Sequence, residues 1–126
     1  MFNTSQWAHD MDNPANKRFV ADFQKDYGRL PTLYAAQGYD AARLMDAAVR
    51  DVKGQIEDKD AVRKALKAAR FDSVRGAFKF NTNHYPIQDY YLRVITKDTQ
   101  GRITNRTIGT VFKNHADAYA GECKMP

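Results

Sequence analysis

The stretch from Pro31 to Gly54, PTLYAAQGYDAARLMDAAVRDVKG, decides how the rest of the chain is read. Ala35, Tyr39, Ala42, Met45, Val49 and Val52 recur in it at steps of three and four. That repeat places side chains on one face of a helix. Asp40, Arg43, Asp46, Arg50 and Lys53 fall mostly on the other faces. Pro31 sets the entry, because its ring fixes φ and its missing N–H costs nothing in a first helical turn. Gly54 is the expected stop, since glycine takes the left-handed conformation that closes a helix without strain. The alanines of the first half allow a neighbour to approach closely, and Tyr34 and Tyr39 give the helix an aromatic entrance.

Two further helices flank this one. Asn13-Pro14 is a helix start, with asparagine as N-cap and proline at the first helical position. Phe19, Phe23 and Tyr27 follow at i, i+4 and i+8 beside Val20, and Gly28 closes the stripe. Downstream, Asp58 is the expected N-cap of a third amphipathic helix carrying Val62, Ala65, Leu66 and Ala69 inside and Arg63, Lys64 and Lys67 outside. Residues 1–12 show no periodicity and read as a mostly extended entry segment before a helical part at 13–70.

After residue 74 the period changes from helical to alternating. Val74 to Phe80 alternates around Gly76 as a short strand, and Asn81 to Pro86 is turn-forming. Tyr90 to Thr96 is rich in β-branched and aromatic residues and is the strongest strand of the chain. Asp98-Thr99-Gln100-Gly101 makes a hairpin turn into a strand from Ile103 to Phe112, followed by a tail at 113–126 that carries at most a helical turn. Three helices and then about three strands give an α/β architecture in a single partial domain over 1–126. Three short strands are too few to cover the alanine-rich helices, so the core reads as incomplete and the chain as a piece of a larger protein.

The totals narrow the function. At 126 residues, 43% hydrophobic and 12% aromatic, the chain is about one globular domain long. Its net charge of +5 is spread among acids, with no run of four basic residues, which favours a solvated surface over a nucleic-acid interface. An alternative is that Tyr90, Tyr91 and Arg93, with Lys79 and Phe80, stack bases as RNA-binding sheets do. Alternation of the same strand between core and solvent is the favoured explanation of those residues. His9, His84 and His115 are far apart, in no metal-ligand spacing, and Ser5 and Ser73 lie in no nucleophile-elbow context, so neither a metal site nor an enzyme is expected. The glycines sit singly at element ends and form no phosphate-binding loop. Cys123 is the one cysteine and has no internal partner.

Three segments together carry a resemblance. NPANKRFVADFQKDYGRLPTLYAAQGYDAARLMDAAV (13–49), DKDAVRKALKAARFDSVRGAFKFNTNHYPIQDYYLRVITKDTQGR (58–102) and DAYAGECKM (117–125) are similar to the C-terminal part of periplasmic substrate-binding proteins of the branched-chain-amino-acid (Leu/Ile/Val-binding) type, which serve ABC importers. The resemblance implies a type I periplasmic-binding fold of two α/β lobes that close on a ligand, of which this chain is the last part. It implies a binding protein without cofactor, catalysis or nucleic-acid partner, whose ligand is an amino acid or aromatic acid and whose partner is a membrane permease. A ligand-sensing domain of a signalling receptor on the same fold is the alternative. Periplasmic or lipid-anchored extracellular localisation follows, with the signal peptide expected far upstream of the polar Met1–Trp7 opening. The same resemblance allows Cys123 to pair with an upstream cysteine. It matches Tyr34 to an aromatic position of the ligand cleft, with Gln37 one turn on, and leaves exposed faces that copies of the chain cover by self-association.

Overall fold

Asn13, Thr32 and Asp58 each cap a helix in this computed structural model, which describes residues 1–123 and 125. Helix α1 (Pro14–Tyr27) starts where the Asn13 side chain accepts the Asn16 N–H at 2.8 Å and stops at Gly28, whose φ of +66° only glycine adopts freely. Helix α2 (Leu33–Asp51) starts at Thr32, whose hydroxyl accepts the Ala35 N–H at 3.3 Å. Pro31 therefore lies one residue ahead of the cap, not in the first turn, and its ring is buried. Past the C-cap Val52, Lys53 and Gly54 are both left-handed, and the Gly54 N–H donates to Val49 at 2.9 Å. Helix α3 (Lys59–Ala68) follows, its first turn fixed by Asp58 accepting the Ala61 N–H at 3.0 Å.

The buried face of α2 is rotated from the one its apolar repeat suggests. Ala36, Asp40 and Ala48 are buried, and Ala35, Tyr39 and Val52 are half-buried, whereas Ala42, Met45 and Val49 are exposed. The reason is the position of the neighbours. Phe19 of α1 lies over Tyr39 with ring centroids 4.7 Å apart, and the segment after α3 lies over Asp40. No described residue covers the side that carries Met45 and Val49.

Four strands form one sheet: β1 (Phe2–Ser5), β2 (Lys79–Phe80), β3 (Pro86–Lys97) and β4 (Ile103–His115). All pairings are antiparallel to β3, with Phe2 opposite Val94, Lys79 opposite Ile87 and Lys97 opposite Ile103. The β3–β4 turn is held by the Asp98 carboxylate, which accepts the Gln100 and Arg102 N–H groups at 2.9 Å and the Arg102 Nε at 2.7 Å. Register shifts between Gln88 and Arg93 mark bulges that bend the hairpin.

Four sequence expectations change here. Residues 2–5, taken with the entry segment, form a sheet strand. The strand expected from Val74 shrinks to Lys79–Phe80, because Gly76 at φ +86° and the Gly76 N–H to Ser73 carbonyl bond at 3.0 Å make a turn instead. Pro86 opens β3 where a turn was expected, and β4 runs on to His115, ahead of a single helical turn at Ala120–Glu122. Lys124 and Pro126 of the tail lie outside the described residues.

The best-packed core is not under the sheet. Trp7, Phe19, Ala36 and Val74 are buried together, ringed by Met11, Val20, Phe23, Leu33, Ala35 and Tyr39. Trp7 donates its indole N–H to Asn16 Oδ1 at 2.7 Å, and Asn16 Nδ2 donates to the carbonyls of Ala8, His9 and Met11 at 3.4, 3.1 and 3.1 Å. One fully buried amide thus pins the whole segment between β1 and α1. By contrast, no residue of β3 or β4 is fully buried, and Ile103, Ile108, Val111 and Phe112 are exposed.

Asn16→Ala leaves the Trp7 N–H and those carbonyls without partners and is expected to cost about 2–4 kcal/mol in urea unfolding. Asn105→Ala, which removes only a half-buried bond to Asn3, is expected to cost less than about 1 kcal/mol.

Candidate functional site

Asp40 sits mid-helix on α2 and is 3% exposed. Its Oδ2 accepts the Ser73 hydroxyl at 2.6 Å, and its Oδ1 accepts the Val74 N–H at 3.0 Å. Arg75 Nε lies 3.4 Å from the same carboxylate. Ser73 Oγ in turn accepts the Arg75 N–H at 3.0 Å, so the turn closes on itself around the acid. Asn13 adds a second tie, donating from Nδ2 to the Val74 carbonyl at 3.0 Å. Arg75 continues outward, with Nη1 on Gln88 Oε1 at 2.8 Å and its guanidinium 5.1 Å from the Phe78 ring centroid. A buried carboxylate is tolerated when its oxygens are paired, and both oxygens of Asp40 have a hydrogen-bond donor.

Two clefts flank the turn that Asp40 holds. The first, about 620 Å³, lies between α1, α2 and residues 71–78; Tyr39, Phe71 and Phe78 wall it and Arg18, Arg43 and Asp72 bring charge to it. The second, about 430 Å³, lies between residues 10–13 and the sheet and is polar, with Asp10, Asp89, Gln88, Tyr91 and Lys113 on its walls. Most of its acids are already engaged: Asp10 accepts the Thr107 N–H and hydroxyl at 2.8 Å, and Asp89 accepts the Asn114 N–H at 2.7 Å. Burial pushes the Tyr91 phenol above its usual pKa, and the neighbouring Asp89 charge adds to the rise. Burial likewise lowers the Arg93 guanidinium, against the opposing pull of Asp10. Arg93 nonetheless clamps the entry segment to the sheet, from Nε to Asn3 Oδ1 at 2.8 Å and from Nη1 to the Trp7 carbonyl at 2.9 Å.

The two residues singled out from sequence lie elsewhere. Tyr34, in the first turn of α2, is 81% exposed, and Gln37 one turn on is exposed too. Neither lines the two clefts. They share the outer side of the α2 N-terminus, turned to solvent in the chain alone. His9 faces Thr104, with ring nitrogens 3.3 and 3.4 Å from its hydroxyl, and no group of metal-ligating side chains forms among the described residues. Cys123 is free and exposed. What sequence reasoning missed is Asp40, assigned to an outer face. No local signal marked it: Ala41 and Ala42 beside it are exposed, and its partners Ser73, Val74 and Arg75 lie far away in sequence.

Known proteins place this geometry in a family. Residues 1–100 match the model of a family described as periplasmic binding protein. The structure is similar to an ABC-transporter solute-binding protein from R. palustris in complex with benzoate, with 34% identity, a TM-score of 0.88, and coverage of 99% of this chain and 33% of that one. It is also similar to a solute-binding protein from Rhodopseudomonas palustris HaA2 in complex with p-hydroxybenzoic acid (29% identity, TM-score 0.80, 98% and 33% covered). A third, from R. palustris in complex with 4-hydroxybenzoate, shows 30% identity and a TM-score of 0.79 over 94% of this chain and 32% of that one. The chain spans about one third of the length of these structures. No curated protein matches it significantly.

Asp40→Ala is expected to destabilise the chain by about 3–5 kcal/mol, since it strands the Ser73 hydroxyl, the Val74 N–H and the Arg75 charge together. Asp46→Ala, which breaks only the exposed 3.0 Å pair with Arg50, is expected to change stability by less than about 0.5 kcal/mol. Equal losses in denaturant unfolding contradict the assignment.

Proposed function

We propose, because this chain belongs to the periplasmic binding protein family, that it is the C-terminal part of a solute-binding protein that captures a small aromatic or amino-acid-like carboxylate for an ABC importer. The observation that carries this reading is the 34% identity and TM-score of 0.88, over 99% of the chain, to a benzoate-bound solute-binding protein. Hydroxybenzoate complexes among the other similar structures point to the same ligand class. The family's members are binding proteins, so the work proposed is recognition and delivery to a permease from the periplasm, without bond chemistry.

Tyr34 and Gln37 are proposed as this chain's contribution to the ligand cleft. Their exposure agrees with that role, because a residue that meets a ligand between two lobes stays uncovered while the other lobe is absent. A tyrosine there offers a flat apolar face to a planar ring and one hydroxyl for orientation. The amide of Gln37 can donate to a carboxylate or accept from an amine. The exposed side of α2 at Met45 and Val49 and the uncovered sheet are proposed to meet the remaining two thirds of the protein. In the isolated chain the same faces favour self-association.

A chimera tests this reading. The chain replaces the matching third of the benzoate-bound R. palustris protein, and benzoate binding is measured by calorimetry. The chimera is expected to bind benzoate at least about a hundredfold more tightly than the chain alone, and Tyr34→Ala in it to weaken binding about tenfold, on the order of 1.4 kcal/mol. A folded chimera that binds no aromatic or amino acid overturns the reading. Tyr34→Ala without effect removes the residue from the site.

A further inference from the structure

The cleft between α1, α2 and residues 71–78 has a chemistry of its own. Three rings, Tyr39, Phe71 and Phe78, face a space of about 620 Å³, within the range that small-molecule sites occupy. Phe71 and Phe78 meet edge to face at 5.4 Å between centroids, which fixes that wall. Gly76 keeps part of the lining free of side chain, and its φ of +86° disfavours any other residue.

Asn13 and Ser73 at this cleft are engaged, but other polar groups on its lining are unspent. Arg43 makes no hydrogen bond or ion pair among the described residues, and neither does the Tyr39 hydroxyl. Arg18 has only Asp22, at 3.8 Å between exposed side chains, a separation that holds a pair loosely. Against these two guanidinium groups the lining sets one carboxylate, Asp72, so it carries a single positive excess. Arginine is also the side chain best shaped to take a carboxylate through two parallel N–H bonds.

We propose that this cleft binds a small planar carboxylate, its anionic end on Arg43 and Arg18 and its ring against Phe71 and Phe78. The site is separate from the one suggested for Tyr34, lies wholly within this chain and does not rest on the importer reading. Being open to solvent, it binds weakly, with a dissociation constant on the order of 1 mM. Amides of residues 13–18, 39–43 and 71–78 carry the response.

The test is a titration of the ¹⁵N-labelled chain followed by NMR, with benzoate, cyclohexanecarboxylate and benzamide as probes. Saturable shifts confined to those three segments are expected with benzoate. Benzamide, which lacks the charge, should bind at least about fivefold more weakly, and cyclohexanecarboxylate, which lacks the flat ring, should fall between. Arg43→Gln, at an exposed position that leaves the fold intact, is expected to cut benzoate affinity at least about fivefold, while Asn105→Ala, on the sheet and away from the cleft, leaves it unchanged. Absence of saturable shifts, equal binding of benzoate and benzamide, an Arg43→Gln variant that binds as before, or shifts centred on Tyr34 would each overturn the proposal. The last outcome would still support the function proposed above, and a chimera that binds benzoate no more tightly than the chain alone would overturn that function while leaving this cleft untouched.

Discussion

The Asp40 carboxylate is the point on which the arrangement of this chain turns. It belongs to the middle of a helix, yet it satisfies a backbone N–H and a hydroxyl more than thirty residues away and lies beside a guanidinium. Removing a carboxylate from water is costly, and three close partners offset that cost only when the geometry is fixed. Fixing it sets the course of the chain after α3. Val74 is driven into the core beside Trp7 and Phe19, and Arg75 is aimed at Gln88 on β3. The position of the sheet against the helices therefore follows from one side chain of α2, with Asn13 as the second anchor.

A second buried polar residue does for the N-terminal side what Asp40 does for the C-terminal side. Asn16, with no exposed surface, gathers three carbonyls and an indole N–H, and so holds β1 and its following loop to α1. Between them the two residues tie sequence-distant segments to the helix pair, where the apolar core is small. What they do not do is cover the sheet or the Met45 side of α2. The chain belongs to the periplasmic binding protein family and spans about a third of the length of the similar structures, and on the reading proposed above those bare faces meet the rest of the protein.

The helices were legible because their signals are local. Asn13-Pro14, Thr32, Asp58 and Gly28 work through bonds within three or four residues, and the apolar repeats follow the same period. The family was legible too, from the order and spacing of segments no one of which is specific. The failures are non-local. Strand β1 has four residues and no alternation of its own; it exists because β3 offers a free edge from Tyr91 to Val94. The stretch closed by the turn at Ser73–Gly76 alternates like a strand, but Asp40 and the left-handed Gly76 override the pattern. The apolar repeat of α2 is real, yet half of it faces outward, on the side proposed above to meet the rest of the protein. Tyr34 and Gln37 were nameable only through resemblance, because exposure and helical position alone give them no chemistry.

Lobe closure on a ligand is the property that the proposed capture role requires of this fold. Small-angle X-ray scattering of the chimera, with and without saturating benzoate, reads it without reference to any one contact. A smaller radius of gyration in the presence of benzoate is the expected result, with no change when acetate replaces it. Identical profiles at a benzoate concentration shown by calorimetry to saturate the protein would contradict a role in ligand capture by closure.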